Sequence, residues 1–521
     1  VGANLVNYLR GQYAYEDRDI NDDDNRVFRK RAAVMGDTLE STPTFMAKPV
    51  FSYPYPGYSE YKTAQLNRAG TVYIGANDGM MHAFSADDGV ERWAYVPSMV
   101  IPNMWKLADF EYSTSHINLV NGTPVVTDVC TANCNVASSA VWKTILVGGL
   151  NAGGRGYYAL DVTNPTSPNL LWEFTTTAGS GSVKDDDIGY SYGQPVVTRK
   201  ADGTWVVLVT SGYNNVSPGD GKGYLYVLNA ATGAIISKIT TNVGTTGAPS
   251  GLAKIAGYNN EIGGNAASYI YGGDLLGNIW RFDINASTTT ATIGTGAAVK
   301  FATLYSDAAG TNPQAITTTP ILGKIAGSRV VFVGTGKYLE VSDLTTTQKQ
   351  SVYAIKDDGT STTLINPRTT LVQQVMTDNT DVNNTGTRVV TSANPVNFFT
   401  GRGWYVDFPV TGERVNVEGK LNLGALQFPT TIPSNTACSP GGYSYNNFFD
   451  FATGASLGNG IVSTRYDSVI VGLHVLYVDG LPVSGVVTAD NPTPVREKNL
   501  EIPASQGTFS GKRTLWRELL E

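Results

Sequence analysis

The sequence predicts an all-β protein of the β-propeller class, and three observations carry that expectation. The first is a repeat. Residues 72–97 read VYIGANDGMMHAFSADDGVERWAYVP, three short β-rich runs separated by turns at 75–79 and 87–89, which is two antiparallel hairpins in succession. Degenerate copies follow at 144–174, 206–236, 269–284 and 330–359. The second is composition: 57 glycines, 41% hydrophobic and only 16% charged residues suit many short strands joined by tight turns. The third is length. At 521 residues the chain exceeds an ordinary single domain, and propellers reach that size because their repeats pack side by side.

Taken in order, Leu5, Val6 and Leu9 have helical spacing and predict a short helix. Glu16–Arg31 is a charge cluster without apolar rhythm, hence a solvated loop. Within it Asp19, Asn21 and Asp23 alternate as hard-cation ligands would, but no Gly or bidentate Glu stands where a calcium loop needs them. The Pro- and Tyr-rich stretch 49–61 approaches the first blade. Residues 1–70 therefore read as a lead-in packing on a propeller of residues 71–521, the whole chain forming one structural unit. Residues 105–118 interrupt the repeat as a helix-bearing insertion, and 121–134 open the next blade. GGLNAGGRG at 148–156 lacks the GxxxxGK[ST] pattern and enters a strand, not a helix, so it is a turn and not a phosphate loop.

Asp185, Asp186 and Asp187 are three adjacent carboxylates; cation binding is one reading of them, and a solvated loop before a strand entry is the favoured one. A long Gly, Asn and Pro loop at 211–223 lies inside the third blade; the fourth closes at 280–283 and the fifth spans 315–358. After the Thr- and Asn-rich stretch 361–397, in which Arg388–Val390 reads as a strand, residues 403–414 repeat the last hairpin and make a sixth blade. Residues 447–454 with 469–479 supply a seventh, and 514–520 form an apolar anchor or short helix. Six to eight modified blades fit this spacing, with loop and helical insertions; seven is the number adopted.

Chemistry is sparse. The net charge of −7 comes with no basic stripe for phosphates, which argues against nucleic-acid binding. No run approaches the roughly 18 apolar residues of a membrane helix. The chain opens in mid-phrase at Gly2–Leu9, as the C-terminal part of a larger exported protein would. Cys130 and Cys134 either close a small disulfide loop or remain two thiols, and the extracellular character of the composition favours the disulfide; Cys438 is then left over. Of the histidines His82, His116 and His474, His82 reads as a structural partner, and a zinc site from Cys130, Cys134 and His116 fits poorly. Trp93, Trp172 and Trp280 end blade hairpins, where stacking between blades explains them. No hydrolase or metalloprotease motif is present, so the expectation is a protein that is not an enzyme. One catalytic alternative is a quinoprotein dehydrogenase: 87–93 and 229–233 echo its tryptophan-docking motif, but the Cys-Cys pair of those enzymes is missing. A carbohydrate-binding propeller is a further alternative, given the many Tyr and Trp residues.

Several phrases together resemble the PilY/PilC family of type IV pilus biogenesis and tip proteins. They are GANDGMMHAFSADDGVERWAYVP (75–97), WKTILVGGLNAGGRGYYALDVTNP (142–165) and DIGYSYGQPVV (187–197), followed by SGYNN (211–215), YGGDLLGNIWRFDI (271–284) and VVFVGTGKYLE (330–340), in the family's order. The final LWRELLE resembles the family's ending. The resemblance implies a C-terminal propeller of a secreted protein of a Gram-negative bacterium, seated at the pilus tip on minor pilins. It also implies roles in pilus assembly, opposition to retraction, twitching motility, and adhesion to host cells or abiotic surfaces. A calcium loop commonly precedes the YxGDLxGNxWRFD phrase in that family. Here its positions fall on Asn260, Ile262, Gly264 and Ser268, none of them Asp, so calcium is expected to be lost or weakly held and no cofactor is assigned. The insertions Trp105–Asn118, Ser211–Gly223 and Ser361–Asn397 are the expected contact surfaces, because loops on a rigid scaffold usually carry binding.

Overall fold

A computed structural model describes residues 2–17, 27–177, 179, 181–259, 264–286, 297–360, 362–381, 385–392, 394–434, 441–458, 460–478 and 481–499. The chain divides into two compact units, one of residues 1–253 and 259–267, the other of 254–258 and 268–520. The first unit opens with helix α1 (Gly2–Leu9), the short apolar stripe the spacing predicts. Its first sheet is the antiparallel meander β1 (Thr44–Met46), β2 (Thr71–Ala76), β3 (Met80–Ser85) and β4 (Glu91–Tyr95). Three of these strands are the three runs of the founding repeat; β1 comes from before residue 71 and pairs with β2. The second sheet comprises β5 (Val125–Ala132), β6 (Val141–Gly149), β7 (Gly156–Asp161), β8 (Asn169–Thr175) and a parallel fifth strand β9 (Ser182–Lys184). The third comprises β10 (Val196–Arg199), β11 (Trp205–Thr210), β12 (Tyr224–Asn229) and β13 (Ile235–Thr240). The insertion before β5 is helical as expected, but wound as 3₁₀ turns at Ile101–Ala108 and Phe110–Thr114.

The second unit contains β14 (Ile255–Asn259), β15 (Ala267–Gly273), β16 (Asn278–Phe282) and β17 (Ala298–Thr303), then β18 (Ile321–Ile325), β19 (Ser328–Gly334) and β20 (Ser351–Asp357). Five short strands follow: β21 (Leu364–Ile365), β22 (Val372–Gln374), β23 (Met376–Asp378), β24 (Thr387–Val390) and β25 (Gly403–Asp407). The last seven are β26 (Lys420–Asn422), β27 (Ala425–Ile432), β28 (Tyr443–Asp450), β29 (Ile461–Tyr466), β30 (Ile470–Val478), β31 (Leu481–Thr488) and β32 (Asn491–Asn499).

Three expectations are corrected here. Residues 403–407 do not start a sixth blade: β25 pairs with β20 and is the fourth strand of the fifth sheet. Residues 447–454 do not combine with 469–479, because β28 lies between β27 and β29, while β30 pairs with β31 in a separate three-stranded sheet. Residues 361–397 carry more pairing than the one strand expected at 388–390: β24 is that strand and pairs with β29, while β21 adds in parallel to β17 and β22 adds in parallel to β25. One physical reason covers the first and the third. An edge strand leaves a row of unpaired N–H and C=O groups, and this polar stretch satisfies the edges of three successive sheets instead of continuing the meander.

The charge cluster 16–31 also departs from expectation at its ends. Arg31 Nε donates to Glu16 Oε1 at 2.7 Å, both residues are buried, and the guanidinium lies 3.8 Å over the Tyr8 ring.

Successive sheets are joined by a recurrent indole contact. Trp93 of β4 donates from Nε1 to Pro165 O at 2.9 Å, Trp172 of β8 to Ala230 O at 3.0 Å, and Trp404 of β25 to Phe451 O at 3.1 Å. Each acceptor belongs to the turn after the third strand of the following sheet. At two of these turns the sequence is Ala-Thr-Gly, and the glycine is obligatory: Gly233 has φ 69° and Gly454 φ 68°. A Cβ at either would stand 2.6 Å from the docked indole. Trp280, by contrast, donates to Asp274 within its own sheet at 2.9 Å.

Gly89 provides an internal control, because its φ is 73° but a Cβ there would meet nothing within 4 Å. Gly89→Ala carries only the left-handed penalty, about 1 kcal/mol, whereas Gly233→Ala adds the collision with Trp172 and is expected to cost about 2–4 kcal/mol. Chemical denaturation of the two variants separates these terms; equal losses would mean that the indole docking contributes nothing.

Candidate functional site

In the first unit, three separated stretches converge on one loop lattice: the β6–β7 turn, the segment 185–190 after β9, and the loop 211–223 between β11 and β12. The turn is the hairpin the sequence predicts, and Gly153 passes so close to Leu119 that a Cβ would lie 1.8 Å from its carbonyl oxygen. Arg155, the one charge in 148–156, reaches across to the long loop. Its Nη2 donates to Asn214 O at 2.8 Å and Val216 O at 3.0 Å, and its Nη1 to Pro218 O at 3.4 Å. Backbone pairing joins the other two stretches: Gly189 N donates to Ser211 O at 2.7 Å, and Tyr190 and Tyr213 exchange hydrogen bonds. Gly212 (φ 67°) allows this approach, since a Cβ would sit 2.0 Å from Tyr190 O. Fully buried Asn215 ties the loop's ends, donating from Nδ2 to Asp187 O at 3.2 Å and Lys222 O at 2.8 Å.

The carboxylates of this lattice are not solvated as expected. Lys238 of β13 places Nζ 2.8 Å from Asp185 Oδ1 and 2.6 Å from Asp187 Oδ2, and 4.4 Å from the centre of the Tyr224 ring. Tyr226 donates to Asp185 and Asp220 N to Asp187, at 2.8 and 2.9 Å. Burial opposes the lysine's charge, but the hydrogen bonds and charges of Asp185 and Asp187 outweigh it and raise its pKa. The pairing supplies internally the positive charge that an external cation would bring, and only Asp186 remains at the surface with Lys184, 3.1 Å away. The lattice presents a braced, convoluted outer face.

Asp19, Asn21 and Asp23 lie outside the described residues, as do Asn260, Ile262 and Cys438. Of the degenerate calcium loop, Gly264 and Ser268 are described, with Ser268 in β15. Between them Asn265 is buried and holds β10, donating to Val197 O and accepting from Thr198 Oγ1 at 3.1 and 2.7 Å. Among the described residues no three His, Cys, Asp or Glu side chains gather as a metal would require. The structure joins Cys130 to Cys134 in a disulfide. His116 stands 2.9 Å from Asp37, away from the cysteines. His82 is buried in the first sheet, Nε2 3.0 Å from Asp78 Oδ2 and Nδ1 2.5 Å from Glu91 Oε1. Burial lowers its pKa, but Asp78 and then Glu91 raise it further, and the net direction is up. The tryptophan-docking echo at 229–233 is accounted for by Trp172 seated on that turn.

Sequence reasoning did not find Arg155 or Lys238. For Arg155 a signal existed, a lone cation in a glycine-rich turn. For Lys238 none did, because its partners are 51 and 53 residues away.

Comparison with known proteins adds independent findings. The family model described as the PilY1 β-propeller domain matches residues 29–388. A type IV pilus biogenesis factor PilY1 of Pseudomonas aeruginosa strain PAK is 35% identical over 500 residues, covering 87% of this chain and 40% of that protein. A homologue from Xylella fastidiosa strain Temecula1 is 31% identical over 550 residues, covering 99% of this chain and 41% of its own. This chain thus spans about two fifths of the curated relatives it matches. The crystal structure of the Pseudomonas aeruginosa PilY1 C-terminal domain superposes with a TM-score of 0.64 at 28% identity, covering 85% of this chain and 97% of that one. Among the described residues, no helix is long and apolar enough to cross a membrane.

Two expectations follow for these residues. Arg155→Ala removes the bracing of three carbonyls at the exposed loop; hydrogen exchange at residues 213–219 should accelerate at least about tenfold while global stability falls by less than about 1 kcal/mol. Unchanged exchange would mean that Arg155 does not order the loop. The second concerns His82. Its folded pKa is raised, so its stabilising charge is fully present below the unfolded value of about 6.5 and is lost as pH rises through the folded value. The stability advantage of the native protein over His82→Gln should therefore shrink from about pH 6 to pH 9 in denaturant titrations; a constant difference would refute the paired imidazolium.

Proposed function

The chain belongs to the PilY1 β-propeller family, and from that premise we propose that it acts as a non-enzymatic type IV pilus assembly factor at the pilus tip. In this reading the propeller is a rigid scaffold outside the cell whose loops dock minor pilins, favouring extension over retraction and supporting twitching motility and adhesion to host or abiotic surfaces. The observation that carries the reading is the convergence of three family phrases, at 148–156, 187–195 and 211–215, on one braced loop lattice. Such a surface suits protein docking, where preorganised loops spare the ordering cost of association. With Lys238 between Asp185 and Asp187, the lattice holds its shape through an internal cation, and docking through it is independent of calcium.

The test is a pull-down of this chain against purified minor pilins, with calcium and with chelator, alongside Arg155→Ala. Capture that is insensitive to chelator and weakened roughly tenfold by the substitution is the expected result. Capture abolished by chelation would replace the internal cation with a bound metal, and no capture under either condition would remove minor pilins as partners of this region.

A further inference from the structure

The outer edges of the first five sheets are not treated alike. In the second, fourth and fifth, a strand of two or three residues adds in parallel to the outermost meander strand: β9 to β8, β21 to β17 and β22 to β25. Each brings one apolar side chain, Val183, Leu364 or Val372, that packs against a buried core cluster. The third sheet has no such strand. Its order ends at β13, and among the described residues no group beyond β12 bonds the β13 backbone over Ile235–Thr240. An open edge is a row of unpaired N–H and C=O groups, which proteins blunt with charge or proline. β13 has no proline, and its one charged residue, Lys238, is drawn away to Asp185 and Asp187. Its Ile236 is 41% exposed. The first sheet also ends at its fourth strand, but β4 exposes only Glu91 and Ala94.

The filled edges give the register. Val183 lies opposite Phe174 in the second sheet, and Leu364 opposite Ala302 in the fourth. Phe174 and Ala302 each pair with the second residue of their sheet's third strand, Tyr157 and Ile279. The same position in β13 is Ile239, paired with Leu225. We propose that β13 is a docking edge for an extended segment of a partner protein, which adds in parallel over Lys238–Thr240 and sets one apolar side chain opposite Ile239 between polar neighbours. Main-chain hydrogen bonds supply the affinity of such additions, and alternate side chains supply their specificity. The edge takes its partner whether or not minor pilins dock on the loop lattice, so it stands or falls apart from the pilus reading.

The probe is acetyl-Gly-Ser-Val-Lys-Thr-amide, which carries the Ser-Val-Lys of β9, titrated into the whole chain while amide hydrogen exchange is followed segment by segment. With the peptide at about 10 mM, exchange within residues 236–240 should slow saturably by at least about fivefold. Exchange within 173–175, whose edge β9 already fills, should keep its rate. A control peptide with Asn in place of Val lacks the apolar side chain and should protect at least about threefold less. A second control, N-methylated at its Val and Lys, loses those main-chain donors and should not protect. No slowing at about 10 mM, equal slowing with the N-methylated peptide, or equal slowing at 173–175 would each overturn the docking edge. Equal slowing with the Asn peptide would overturn the apolar residue opposite Ile239.

Discussion

Indole docking between neighbouring sheets is the constraint on which the repeat depends. A four-stranded meander has two faces and cannot bury both alone; its successor must cover it at a defined offset. Trp93, Trp172 and Trp404 set that offset by combining a large apolar ring with one N–H that must find an acceptor. Their acceptors, Pro165, Ala230 and Phe451, all lie at the same structural position in the next sheet. Where the receiving turn reads Ala-Thr-Gly, the glycine has both a left-handed φ and no room for a Cβ, so backbone conformation and ring packing select one residue together. A phrase shared with quinoprotein dehydrogenases is thus explained as propeller mechanics, without any cofactor.

Within the second unit, buried charges serve a different purpose. Asp357 receives Tyr271, Arg281 and Arg329, the two arginines at 2.5 and 3.2 Å, and its carboxylate is wholly buried. Arg388 and Glu413 form a bidentate pair at 2.7 and 2.9 Å with neither side chain exposed, the guanidinium lying 3.3 Å over Tyr445. Such pairs contribute modestly to net stability, yet removing one partner alone is costly. Asp274 shows the neutral-donor version. Burial raises its pKa, while Trp280, Asn278 and the backbone N–H groups of Leu276 and Asn278 hydrogen-bond its oxygens. The motif GGDLLGNIW is therefore a turn built around one carboxylate.

The loop lattice uses the same economy of charge at the surface. Arg155 is spent on backbone carbonyls and Lys238 on two carboxylates, so little free charge is left to steer a ligand. What remains is shape.

Local patterning determined the strands of the repeated hairpins. Alternation of apolar runs and glycine turns marks β2 to β4, β6, β7, β11, β12, β19 and β20, because hairpin partners are close in sequence and each turn leaves a chemical signature. The repeat pointed to the propeller, and the extracellular character of the composition favoured a bond between Cys130 and Cys134 over two thiols. Only the tertiary structure decided which strand ends which sheet. β25 joins β20 across a 45-residue insertion whose own strands cap three sheet edges, and no local pattern distinguishes an edge-capping strand from a loop. Lys238 between its aspartates and Glu16 with Arg31 were equally invisible. Each depends on groups brought together from separate parts of the chain, and sequence periodicity carries no record of such distances.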